Sequence, residues 1–323
     1  MQFPTPTRLF LKLATPVILA AFVGWIFLEA IFVPVQAVEP SSLPYVHPAL
    51  AKALLTTPAD EYLPVVIEWP RSPNLLQALR PGDKLAQREQ VIATLQNDTR
   101  EKTASLMAFL QSQTSLQQAK TPRAFWISPI IILQARPALI QQLTQRTDIS
   151  SLRLDEAMTL EPITYTEMTD ANFLQPDDML WNLETVHVGL TEQALGLDGT
   201  GVVVANLDSG VDWMHPALMT HYRGYRPGGL SIHYGNWHVS TNEEYTYPGD
   251  GNGHGTHTMG TIVGDDGQGM RTGVAPGAKW IAVKMFTNNG VTYESWVHDA
   301  FEWIIAPEGD PALAPDVLNN SWG

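Results

Sequence analysis

Val202-Val203-Val204-Ala205-Asn206-Leu207-Asp208-Ser209-Gly210-Val211-Asp212 is the stretch on which the fold turns. The turn Gly199-Thr200-Gly201 precedes it, and the apolar run 202–207 is what a buried parallel strand requires. Asp208 falls at the C-terminal end of that strand, the edge where open α/β sheets gather ligands and reactive groups. A carboxylate there is costly without a partner. Taken alone, Asp208 reads as a turn or helix-capping aspartate. Its candidate partner lies in Asn252-Gly253-His254-Gly255-Thr256-His257-Thr258-Met259-Gly260-Thr261. Glycines on both sides of His254 permit a close backbone approach, and 256–263 suits a helix packed on the sheet. A helix is expected over 292–305, with Trp296, Ala300, Trp303 and Ile304 on one face.

These stretches resemble the aspartate and histidine motifs of the subtilisin-like serine proteases. Asp212, His215, Pro216, Ala217 and Leu218 continue the first motif as that family does, and Gly273-Val274-Ala275-Pro276-Gly277-Ala278 with 280–284 is similar to a third family stretch, a resemblance that implies a turn feeding another buried parallel strand. The stretch from Asp316 to Gly323 resembles the family's next strand and the start of its substrate cleft, and Asn319-Asn320-Ser321-Trp322-Gly323 is closest in form to the bacillopeptidase F-like branch. The resemblance covers 181–323. It implies an α/β fold, a subtilisin-like parallel sheet with helices on both faces, incomplete in this chain. It also implies a serine-type endopeptidase with Asp208 and His254 as two members of an Asp-His-Ser triad. The backbone of Ser321, Trp322 and Gly323 would pair with an extended peptide substrate. His215 and His257 are then structural, the latter a buried packing residue. No cofactor is required for the chemistry, although a structural calcium fits the family.

The residue types suit that chemistry. A serine hydroxyl becomes a strong nucleophile only when an imidazole takes its proton. A carboxylate fixes the imidazole tautomer and stabilises the imidazolium. The family's Ala-Gly-Asn stretch and its Gly-Thr-Ser-Met-Ala nucleophile do not occur in these 323 residues, and no Gly-x-Ser-x-Gly replaces them. The chain as given is therefore expected to be one part of a protease domain, inactive alone, with apolar surface left uncovered.

Ahead of this segment, 62–69 reads as a strand and 83–116 as a helix, with Val91, Ile92, Leu95, Leu106, Phe109 and Leu110 at spacings of three and four. An apolar strand follows over 125–133, flawed by Pro129. A helix begun by Pro137 and a closing strand over 149–154 complete the set. Helices on one face of a small antiparallel sheet make an α+β domain over 60–155. By position and element order it resembles the propeptide inhibitor domain of the same family, a partner for the catalytic segment, with 156–176 as a processing linker and 177–323 as the catalytic part.

At the N-terminus, Arg8 and Lys12 precede an apolar run over 13–28, interrupted by Glu29, and Val35-Gln36-Ala37 offers small residues for cleavage. This layout over 1–37 is that of a signal peptide or membrane anchor. The rest of the chain is expected outside the cytoplasm, secreted or anchored, with the membrane met only through this segment. The chain has no cysteine, so disulfides and thiolate metal sites are excluded. A net charge of −14 argues against nucleic acid as a partner. The charge is concentrated after Pro176, where 18 acidic residues face 5 basic ones.

Two other readings remain open at this level. One is a non-catalytic pseudoprotease or peptide-binding inhibitor. The other is a metallohydrolase using Asp208, His215, His254 and His257, although the sequence lacks His-Glu-x-x-His.

Overall fold

A computed structural model describes residues 43–72, 75, 81–161 and 180–322. The signal-like segment, most of the expected linker and Gly323 lie outside the described residues, which all belong to one compact unit, Pro40–Gly323.

The N-terminal part is built on β1 (Tyr45–Val46), β2 (Leu63–Glu68), β3 (Ala119–Phe125), β4 (Ile130–Ala135) and β5 (Ser151–Leu154), in the sheet order β1-β5-β2-β4-β3. Strand alternation sends Val65, Ile67, Ile131, Leu133 and Leu152 to one face. There they meet Leu50 of α1 (Pro48–Thr56), Leu106 and Leu110 of α2 (Lys84–Ser115), and Leu139, Ile140 and Leu143 of α3 (Pro137–Leu143). The Asp83 carboxylate caps α2 by accepting from the Ala86 N–H at 2.9 Å. Pro137 opens α3, where its missing N–H costs nothing.

Three expectations change here. The apolar stretch 125–133 is not one strand but two arms of a hairpin, with Pro129 in the turn between β3 and β4. Proline suits a turn because it fixes φ and needs no ladder donor. The sheet is mixed rather than antiparallel, since β1 runs parallel to β5. The expected linker opens with a strand: β6 (Ala157–Thr159) pairs antiparallel with β10 (Val291–Tyr293) of the following segment.

The C-terminal part is a parallel sheet of β7 (Val203–Asp208), β8 (Trp237–Val239), β9 (Lys279–Lys284) and β11 (Val317–Asn319), ordered β11-β7-β9-β8. Two short helices, α4 (Trp181–Thr185) and α5 (Val188–Leu195), lead into it, and α6 (Pro216–Met219) follows β7. The 222–247 insertion contributes β8, an edge strand. Both faces of the sheet are covered. Val204, Trp280 and Ala282 pack on Met259 and Val263 of α7 (His254–Val263). Ala205, Leu207, Ile281 and Val283 pack on Val297, Ala300 and Ile304 of α8 (Glu294–Ile305). The helix expected over 292–305 thus starts two residues later, because Thr292 and Tyr293 are spent on β10. Its inward position is taken by Val297, while Trp296 stays half-buried.

The two parts meet across the second face of the N-terminal sheet. The Phe125 ring lies 5.6 Å from the His298 imidazole of α8. Arg123 pairs with Asp299 at 2.6 Å and Glu302 at 3.5 Å, and Arg153 holds Glu294 in a two-point contact at 2.6 Å. Glu302 also accepts from the backbone N–H groups of Trp126 and Ile127. Burial pushes the Asp299 carboxyl up. The His238 hydrogen bond at 2.7 Å, with the charges of His238 and Arg123, outweighs that and holds it at about 2. Its stabilising contribution is complete above the ordinary carboxylate value of 3.8 and is lost as pH falls through about 2. Burial raises the Glu302 carboxyl, with only partial relief from Trp126 and Ile127, so this group acts in the opposite sense. The Asp299→Asn variant should lose on the order of 2 kcal/mol near neutral pH and show a flatter fall of its thermal midpoint on acidification. Thermal unfolding followed by circular dichroism from neutral pH down to pH of about 2 checks this, the parent's steeper acid loss being the signature.

Candidate active site

Strand β7 delivers Asp208 to the sheet's C-terminal edge, and α7 begins with His254 facing it. The His254 Nδ1 lies 2.7 Å from Asp208 Oδ1. Since a carboxylate oxygen accepts, Nδ1 carries the proton and the other ring nitrogen is left with a free lone pair in the neutral imidazole. The Asp208 side chain is 1% exposed, against 18% for His254. The pair is therefore dry on the carboxylate side and open on the imidazole side.

Other donors complete the carboxylate's shell. The Ser209 N–H donates to Asp208 Oδ1 at 2.7 Å, and the Thr258 hydroxyl lies 3.2 Å from Oδ2. Burial raises the Asp208 carboxyl, while the hydrogen bond and charge of His254, the Ser209 N–H and Thr258 oppose it. Asn206, one strand position before Leu207, donates to Thr258 Oγ1 at 2.8 Å and to the Gly255 carbonyl at 3.1 Å. A polar residue inside the apolar strand thus ties β7 to the first turn of α7.

Asp250 organises the loop before the helix. Its carboxylate accepts from the Ser209 hydroxyl at 2.9 Å, Gly253 N–H at 2.9 Å, Thr256 N–H at 2.9 Å and Thr256 hydroxyl at 2.7 Å. Gly253, the residue before α7, has no side chain to cap it, and Asp250 supplies that function from three residues upstream. The sequence alone gave no role to Asn206, Asp250 or Thr258. The legible signals were a lone amide in an apolar strand and an Asp just ahead of a helix start.

The remaining expected residues fall out differently. His215 is exposed, and its Nδ1 accepts from the Ala217 N–H at the start of α6, a structural use. His257 is not a buried packing histidine but exposed, because Gly255, Met259 and Val263 form the inward face of α7 and a position two residues from both Gly255 and Met259 lies on the opposite side of the helix. It borders a cavity of about 770 Å³ together with His215, Asp212 and Met270. Among the described residues no three His, Asp or Glu side chains converge as metal ligands. Asp208, His215, His254 and His257 therefore do not form a metal centre. Ser321 exchanges hydrogen bonds with Asn319. Trp322 donates its indole N–H to the Leu207 carbonyl at 2.9 Å and sits edge-on to Phe286, so its side chain is committed to the sheet. Gly323 lies outside the described residues.

This pair at a parallel-sheet edge coincides with a sequence relationship. The model of the subtilase family, peptidase S8, matches residues 199–323. The chain belongs to the subtilase family. It is 35% identical to bacillopeptidase F of Bacillus subtilis over 248 residues, covering 73% of this chain and 17% of that protein. It is 34% identical to fervidolysin of Fervidobacterium pennivorans over 153 residues, 45% of this chain and 19% of the other. Subtilisin E of Bacillus subtilis is 35% identical over 128 residues, 40% and 28% of the two chains. This subtilase chain thus spans less than a third of the length of these curated relatives. The likeness to bacillopeptidase F is longer than the family segment, so it reaches into the N-terminal part.

The contact between β7 and α7 sets a strict size limit. A Cβ on Gly255 would stand 2.0 Å from the Gly210 carbonyl oxygen and 3.0 Å from the Asp208 Cβ. Gly260, on the same helix, has nothing nearer than 3.8 Å. Gly255→Ala should cost about 2 kcal/mol or more by overpacking. Gly260→Ala should remain within about 1 kcal/mol of the parent or exceed it. Urea unfolding of both variants checks the difference.

Proposed function

We propose that this chain carries the acid–base pair of a serine endopeptidase that acts on proteins or peptides outside the cytoplasm. The observation that carries this reading is the 2.7 Å contact between a buried Asp208 carboxylate and a solvent-facing His254. In the proposed mechanism, the free imidazole nitrogen of His254 takes the proton of a serine hydroxyl as its oxygen bonds to the substrate carbonyl carbon. Asp208 keeps Nδ1 protonated and stabilises the imidazolium. His254 then returns the proton to the leaving amine, and the same cycle with water releases the acyl group. The serine itself is not among these 323 residues. No metal enters any step.

Residues 60–155 are proposed as a propeptide that inhibits the catalytic part. Two features support this. The sheet's second face covers α8, and β6 occupies β10, an edge to which an extended peptide could add. Export through the N-terminal segment and a peptide contact by the backbone of Ser321, Trp322 and Gly323 belong to the same reading. The pairing of β6 with β10 also favours a second one: a protein that binds peptide without cutting it.

The test is to read the coding DNA beyond the Gly323 codon and to assay the gene's full product on casein. The protease reading expects a Gly-Thr-Ser-Met-Ala segment and hydrolysis blocked by an organophosphorus reagent. Asp208→Asn and His254→Ala should each lower kcat by roughly 10⁴-fold or more. Hydrolysis undiminished by His254→Ala would sink it. Peptide binding without cleavage would establish the second reading instead.

A further inference from the structure

Lys284 ends β9 directly across from Asp208 on β7, and its side chain is entirely out of water. A buried ammonium is stable only if its three N–H donors and its charge are matched. They are. Nζ donates to the Ser209 carbonyl at 2.6 Å and to Asn288 Oδ1 at 2.9 Å, and lies 3.2 Å from Glu243 Oε2. The Tyr245 ring lies beneath it, with its centroid 5.0 Å away. Burial depresses the ammonium's affinity for its proton, and Glu243, Asp250 and Asp208, in that order, support it.

The partners of Lys284 connect the whole edge. Ser209 joins Asp208 to Asp250 through its N–H and hydroxyl. Asn288 accepts at one oxygen from Lys284, the Tyr245 hydroxyl and the Gly251 N–H. Its backbone carbonyl accepts from Asn252, two residues before His254, and its N–H donates to Glu243. One ammonium thus links the turn after β7, the loop holding Glu243 and Tyr245, the loop before α7, and the loop leading to β10.

We propose that Lys284 is a positioning residue for the Asp208–His254 pair, holding the Ser209 turn in place and setting the field in which the Asp208 carboxylate ionises. The inference rests on the acid–base reading of that pair but is tested without hydrolysis. A purely mechanical strut would be replaceable by a neutral side chain of the same length with no change in ionisation. A charge-bearing one would not, since an opposite charge nearby favours a carboxylate's ionised form.

The experiment follows the Asp208 carboxyl ¹³C resonance against pH in the isotope-labelled 323-residue chain. In Lys284→Met the Asp208 midpoint should rise by about one pH unit. In Lys284→Arg, which keeps the charge, it should return to within about 0.3 of the parent. Glu243→Gln keeps an acceptor for Asn288 but removes a competing negative charge, so the midpoint should fall. Opposite signs in the Met and Gln variants bear the inference out, and a loosened loop would not produce them. An unchanged midpoint in folded Lys284→Met, or shifts of the same sign in both variants, overturns it. If Lys284→Met does not fold, Glu243→Gln decides: a lowered midpoint supports the inference, and an unchanged or raised one overturns it. Loss in Asp208→Asn of a low-field His254 Nδ1 proton seen in the parent reports the pair by itself. Failure of the pair is thereby told apart from failure of Lys284.

Discussion

A carboxylate held out of water at the end of a buried strand is the constraint around which the C-terminal part is arranged. Asp208 can be there only because imidazole, hydroxyl and backbone donors converge on it. Each donor in turn fixes an element. His254 sets the start of α7, Thr258 its first full turn, and Ser209 the exit from β7. The close approach of Gly255 to Gly210 lets the helix come near enough for the imidazole to reach. Packing and polar chemistry therefore specify the same geometry, and one cannot relax without the other.

The N-terminal part uses two faces of a single sheet for different ends. One face closes over three helices and makes a core. The other leaves Phe125 and Ile132 beside Arg123 and meets a helix whose outward residues are Glu294, Asp299 and Glu302. The excess acidity after Pro176 is thus not only a solvated surface: part of it is matched by arginines from the preceding segment. Partial burial makes that matching count, because salt screens such pairs less than fully exposed ones.

Legibility followed the length scale of each signal. Long periodic stretches such as Lys84–Ser115 and the apolar core of β9 were plain, because burial of one face or two imposes a repeating pattern. The hairpin of β3 and β4 was misread because an apolar run has no mark for where it reverses, except Pro129, which suits a flawed strand and a turn alike. β6 escaped notice since a three-residue strand has no periodicity. Its pairing depends wholly on the edge that β10 presents.

Of the pair itself, the sequence by itself determined the residue types, their order, and the strand-end and helix-start contexts of Asp208 and His254. Those contexts are local, set by apolar runs and glycines within a few residues. The tertiary structure alone decided which groups share the site with them. Lys284 reaches it from the neighbouring strand β9 and Asp250 from the loop before α7, Asn206 and Thr258 turn their side chains to it from β7 and α7 themselves, and His257 points to the outer side of α7. Hydrogen bonds and buried charges act over a few ångströms of space, and only folding converts separation along the chain into such distances.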